Sequence, residues 1–249
     1  CMKRLGRHQK SIEKRAQQIR QRMGDVDKKH YTGHRARLRK RFLNDPHNVY
    51  AYEMMELLLG YVIRRGDTKP LAKELVERFG GIAGLLDAHP AERNAVPGLG
   101  PSTEAFLTLL REIIARYFEE AVKKKTAVTL NDIGQLGRCR LAGCPHEEVW
   151  AALLDNGNRL LTFERIHTGS VDQVLISPRE AVELTLKYKA SALVLLHNHP
   201  GGSSRPSTLD TETTNRLRQA MKAVGLRLLD HLILADGQCY SLTTDNLLA

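Results

Sequence analysis

The chain has 249 residues, with 38 Lys+Arg against 28 Asp+Glu, 42% apolar residues and 5% aromatics, a size that admits one large domain or two small ones. No stretch approaches the roughly 20 uninterrupted apolar residues that span a bilayer, and the charged N-terminus runs into no apolar signal region, which disfavours membrane and secreted readings and leaves a cytoplasmic protein as the expectation. Cys1, Cys139, Cys144 and Cys239 are too few and too scattered for a disulfide framework and are expected to be free thiols.

Charge is concentrated at one end. Residues 1–42 hold 15 Lys+Arg and 3 Asp+Glu, and the other 207 residues are close to neutral. Residues 1–33 read as a basic flexible arm of the kind that attracts polyanions, the alternative being a solvated extension that only aids solubility. From His34 to Phe42 the run HRARLRKRF predicts a basic helix with Leu38 and Phe42 on one face. Helical spacing continues over Ala51–Val62 and over Lys69–Phe79, where Pro70 suits a first turn and Gly80-Gly81 a stop. Gly81–Asp87, Pro90–Asn94 and Pro101–Tyr117 complete an all-helical domain over 34–120.

A lysine-rich linker is expected at 121–127, and after it the texture changes. Short apolar or alternating runs at Glu148–Asp155, Leu160–Arg165, Val171–Ile176 and Ala192–His197 predict strands. Pro178–Tyr188 and Leu209–Val224 show helical periodicity. Leu226–Ala235 is followed by Asp236-Gly237, a hairpin signal, and by Gln238–Ser241. Residues 128–249 are therefore expected to form an α/β or α+β domain.

The string LVLLHNHPGGSSRPSTLD over 193–210 carries the chemistry. His197 and His199 stand two apart at the end of an apolar strand, so both imidazoles point to one side. A loop then leads to Asp210. Two imidazoles and a carboxylate make a three-ligand set for Zn²⁺, and the fourth tetrahedral position stays open for water, as hydrolysis requires. The bland alternative has the histidines ending a strand and Asp210 capping a helix. Cys139, Cys144 and His146 hint at a knuckle but lack a second ligand pair and are read as structural.

The pattern H-x-H, seven residues, Ser, two residues, Asp resembles the zinc motif of JAMM metallopeptidases, also called the MPN+ or JAB domain. HNHP, the downstream LLDHLIL and the N-terminal text HRARLRKRF…ELLLGYVIRRGDTKPLAKELVERFG…VPGLG resemble the RadC family in particular. The resemblance implies two domains, an N-terminal all-α domain like a helix–hairpin–helix and a C-terminal JAB1/MPN domain with a mixed sheet like that of cytidine deaminases. It makes His197, His199 and Asp210 zinc ligands and Ser207 a hydroxyl that helps hold an oxyanion. It also calls for a glutamate on an early strand. Glu147 and Glu148 are the candidates, and Glu147 is favoured because it stands eight residues before Asp155 and shares a face with Val149 and Ala151. Members read HNHPSG where this chain has Gly201. Asp230-His231 is read as strand placement with support behind the ligands, His231 as a ligand being the less favoured option.

Pro97, Gly98, Leu99, Gly100 and Ser102 resemble the hairpin of a helix–hairpin–helix motif, whose backbone N–H groups would meet DNA phosphates without reading base sequence. The leading expectation is thus a DNA-associated zinc hydrolase of peptide or isopeptide bonds with Glu147 as general base. A metal-dependent nuclease, or a non-catalytic DNA-binding or interaction module with structural zinc, are the alternatives. Oligomeric state is not legible.

Overall fold

The computed structural model describes residues 33–169 and 176–248. The basic arm and most of the Val171–Ile176 strand expected from the sequence lie outside the described residues. By contact the chain divides into two compact units, Cys1–Leu85 and Leu86–Ala249. Among the described residues no helix is long and apolar enough to cross a membrane, and Cys139, Cys144 and Cys239 are free thiols.

The first unit is helical: α1 (His34–Asn44), a 3₁₀ turn at Pro46–Asn48, α2 (Ala51–Val62), α3 (Lys69–Arg78) and the start of α4 (Ile82–Asp87). Its core comes from the apolar positions that recur every three or four residues, with Leu38, Met55, Leu59, Ala72, Leu75 and Leu85 buried. Leu38 is the one buried residue of α1, so Arg37, Arg39, Lys40 and Arg41 face solvent. Arg35 ties α1 down by donating to the Gly66 carbonyl at 2.8 Å.

The second unit holds α5 (Pro90–Asn94), α6 (Pro101–Lys123), α7 (Leu130–Leu141), β1 (Glu147–Leu154), β2 (Leu160–Gly169), α8 (Pro178–Lys187), β3 (Ala192–Asn198), α9 (Thr208–Ala223), β4 (Arg227–Ala235), β5 (Gln238–Ser241) and β6 (Asn246–Leu248). The strands form one mixed sheet in the order β2-β1-β3-β4-β5-β6, in which only β3 and β4 run parallel. That parallel pair needs a crossover, and α9 supplies it. Helix α6 continues to Lys123 and so includes the first three residues of the 121–127 stretch expected as a linker, and Val122 within it and Val128 just after it are buried in the core beside the sheet.

Alternation along the central strands builds two apolar layers. Leu154, Ala152, Val194, Leu196, Leu232 and Leu234 face one way, against Ile133, Leu136 and Leu141 of α7. Gly137 lets α7 approach closely: a Cβ there would lie 2.7 Å from Leu196 Cδ2 and 3.2 Å from both Leu234 methyls. Val149, Ala151, Leu153, Leu193 and Leu195 face the other way, against Ala181 of α8 and Leu217 and Met221 of α9. Helix α7 was not expected, nor was β6.

Candidate metal centre

The second face carries more than core. Val149 of β1 lies opposite His197 of β3. Antiparallel partners share a face, so two residues further out Glu147 points to the side of His197 and His199, while Glu148 points to the other. Asn198, between the histidines, faces away with Glu148. It accepts from the Glu148 backbone N–H at 2.8 Å and donates to the His146 carbonyl at 3.1 Å, fastening the start of β1 to the end of β3. Each such buried bond contributes about 1 kcal/mol.

Asp210 arrives from the first turn of α9. Ser207 is the N-cap: its hydroxyl accepts from the Asp210 N–H at 3.1 Å and donates to Asp210 Oδ2 at 2.7 Å, and the Ser207 N–H donates to the same oxygen. This capping box fixes the start of the helix. It also turns the Asp210 carboxylate toward the histidines, so the capping role and the expected ligand role fall on one side chain. A hydroxyl has one proton, and that of Ser207 is directed at Asp210; its bonds are those of a cap, not of the oxyanion donor expected for it.

The sequence-predicted residues converge. His197 Nε2 lies 2.8 Å from His199 Nε2, 3.2 Å from Asp210 Oδ1 and 3.8 Å from Glu147 Oε1, and His199 Nε2 lies 3.5 Å from Asp210 Oδ2. Glu147, His197 and His199 form a group that could hold a metal ion, the one such group among the described residues. His197 is fully buried, the Asp210 side chain is 4% exposed, and the His199 side chain, at 22%, opens the cluster to solvent. Glu148 is engaged elsewhere, accepting from Trp150 Nε1 at 2.8 Å and from Arg165 at 3.0 Å.

The donor set fits a cation. His199 Nδ1 lies 2.7 Å from the Ser203 carbonyl, which can only accept, so the ring proton sits on Nδ1 and a neutral His199 turns a bare Nε2 inward. Two carboxylates and a lone pair then face one another in a mostly buried space, which is favourable only with positive charge among them. The two imidazole–carboxylate separations, 3.2 and 3.5 Å, suit donors to one small cation, whereas the 2.8 Å between the two Nε2 atoms is closer than two ligands of one ion stand. Without metal, protons play that part. Burial alone would raise the Asp210 carboxyl, but hydrogen bonds from His197 and His199 hold it well below the usual carboxylate range. His199 is raised above an ordinary imidazole, first by its hydrogen bond with Asp210 and against the effect of burial.

Gly201 stands where the resemblance calls for Ser, and its φ of +64° is left-handed, so the loop between His199 and Ser207 takes a conformation that glycine adopts without strain. Of the residues read as a hairpin, Pro97, Gly98, Leu99 and Gly100 precede α6 and Ser102 lies in its first turn. Gly98 has φ of +95°, Leu99 is buried, and Pro97, Gly98 and Ser102 are exposed, while Gly100 caps α6 without a side-chain bond. Sequence reasoning missed Asn198 and Thr214. An Asn between two histidines that end a strand was the available signal for the first, and Thr214, four residues after Asp210 on α9, gave none. Cys144 donates to the Arg140 carbonyl, in keeping with its structural reading.

Comparison with known proteins gives the family. Residues 128–247 match the RadC-like JAB domain. The chain is 35% identical over 200 residues to a UPF0758 protein of a Polaromonas species, covering 79% of this chain and 88% of that protein, and 36% identical over 200 residues to the UPF0758 protein Mpe_A2695 of Methylibium petroleiphilum, covering 79% and 89%. It is 29% identical over 232 residues to the UPF0758 protein FN0909 of Fusobacterium nucleatum, covering 90% of this chain and all of that protein. The domain match together with relatives 35% and 36% identical over 79% of the chain means that this chain belongs to the RadC family.

Proposed function

We propose that the chain is a zinc-dependent hydrolase of peptide or isopeptide bonds. The observation that carries this reading is the convergence of Glu147, His197, His199 and Asp210 around one small space, Glu147, His197 and His199 forming the group that could hold a metal ion and Asp210 lying 3.2 and 3.5 Å from the two imidazoles. His197, His199 and Asp210 would hold the ion, which supplies Lewis acidity that polarises a scissile carbonyl and acidifies water. Glu147, partly exposed and without a role in the core, takes the proton of the attacking water and returns it to the departing nitrogen, a task that contributes typically 10²–10⁴-fold. Ser207 holds Asp210 in place through the capping box; its hydroxyl reaches an oxyanion only by turning away from Asp210 Oδ2.

The exposed basic face of α1 and the Pro97–Gly100 turn leading into Ser102 of α6 support DNA as a sequence-independent docking partner, the turn being read as the hairpin of a helix–hairpin–helix. Such binding weakens steeply with salt. Zinc-loaded protein and its Glu147→Ala variant, incubated with a peptide library, single-stranded DNA and duplex DNA, test the reading. Peptide cleavage that the variant loses supports it. Glu147-dependent cleavage of DNA without peptide cleavage replaces it with a nuclease, and no cleavage of any substrate reduces the protein to a binding module.

A further inference from the structure

One fully buried imidazole has no part in that chemistry. On β4, His231 Nε2 lies 2.8 Å from His197 Nδ1, and its Nδ1 lies 2.6 Å from Thr214 Oγ1 of α9. Thr214 Oγ1 in turn lies 2.6 Å from the backbone carbonyl of Asp210. Both ends of this chain of contacts therefore belong to residues of the metal cluster.

The last member sets every proton in the chain. A carbonyl oxygen only accepts and a hydroxyl has a single proton, so Thr214 donates to the Asp210 carbonyl and must accept from His231 Nδ1–H. A neutral His231 then has a bare Nε2, which accepts from His197 Nδ1–H. His197 is left with its lone pair on Nε2, the nitrogen that faces His199 and Asp210. With the opposite proton order His197 would point an N–H at the cluster and could not ligate a cation. We infer that Thr214 and His231 are positioning residues that lock His197 in its metal-binding tautomer, with the Asp210 carbonyl dictating the order of protons.

Neighbouring groups hold the relay in place. Asp230, also fully buried, accepts from the His231 backbone N–H at 2.7 Å, from the Ser241 hydroxyl and from the Thr243 N–H, which fastens β4 at the residue beside His231. His231 Nε2 is taken up by His197, so His231 stands behind the cluster and is not one of its ligands. The partner on a ligand's far nitrogen fixes its tautomer and orientation, and losing such a partner typically costs 10–100-fold in metal affinity.

The inference rests on the reading of His197 as a ligand, and the experiment separates the two. Zinc affinity is measured by chelator competition on the full chain and on Thr214→Val, Thr214→Ser and His197→Ala. Thr214→Val keeps the shape and removes the hydroxyl, so zinc binding weakens by 10–100-fold; Thr214→Ser keeps the hydroxyl and stays within threefold of the parent. In the zinc-bound parent, ring ¹⁵N spectra place the protons of both His197 and His231 on Nδ1. A Thr214→Val affinity within threefold of the parent, or a His231 proton on Nε2, overturns the inference. Should Thr214→Val fail to fold by circular dichroism, the parent spectrum alone decides. Unchanged zinc binding in His197→Ala would instead overturn the ligand reading itself.

Discussion

Zinc should stabilise the sheet-bearing unit against heat, and the size of the effect follows from linkage. A ligand present at 100 times its dissociation constant, and bound by the folded state alone, adds about 2.7 kcal/mol. For a unit of the length of Leu86–Ala249, each kcal/mol moves the midpoint by about 2–4 °C, so the transition should rise by roughly 5–11 °C. The four converging side chains come from β1, the end of β3 and the start of α9, so unfolding of that unit disperses the site. Metal and protons compete for the same atoms. Because Asp210 raises the pKa of His199 above that of an ordinary imidazole, the metal-free protein keeps that proton to higher pH. Zinc binding should therefore strengthen as pH rises through the raised His199 value, by up to tenfold per pH unit for one displaced proton, and the thermal shift should shrink as pH falls below it. Scanning calorimetry of the parent and of Asp210→Ala, with and without zinc, at several pH values measures all of this. A parent shift below 1 °C, or equal shifts in parent and variant, would refute the reasoning.

Three further outcomes are expected. Glu147→Gln should keep the zinc-induced thermal shift while losing hydrolysis by 10²-fold or more, since the residue is read as a base and not a ligand; loss of the shift as well would make it a ligand. Gly137→Val should cost roughly 2–3 kcal/mol in urea denaturation, because its Cβ would start 2.7 Å from Leu196 Cδ2 in a packed layer. The Glu104 carboxylate pairs in bidentate fashion with buried Arg93, and Arg93 holds its pKa below the usual value. Its contribution is then present above the unfolded value near 4.3 and lost as pH falls through the folded one, so Glu104→Gln should cost about 3 kcal/mol at pH 7 and progressively less as pH falls through the lowered folded value.

The sequence made the site residues legible before it made the fold legible, for physical reasons. Helices with strong periodicity and clear stops, such as Ala51–Val62 and Pro90–Asn94, match the expectation residue for residue. Helix α7 was not expected; it holds two glycines, poor helix formers, whose lack of a side chain serves tertiary packing, since a Cβ at Gly134 would lie 3.2 Å from Cys239 Sγ. Strand β6 spans only Asn246–Leu248, too short for alternation to show. His197, His199 and Asp210 could be proposed together because metal ligation demands particular side chains at readable spacings, and the structure brings the three within 3.5 Å of one another. The roles of Thr214 and Asn198 depend on which strands and helices become neighbours, and local pattern does not encode that.

The pairing of β1 with β3 has a wider meaning for the two adjacent glutamates. Slipping the strand by one residue would exchange their environments, sending the carboxylate now held by Trp150 and Arg165 toward the imidazoles and burying the other under the opposite layer. Chemically the two acids are the same; alignment of the backbone decides which one can act. A single residue inserted between Glu148 and Val149 would thus carry the Glu148 carboxylate to the reactive position without altering any side chain that does the work.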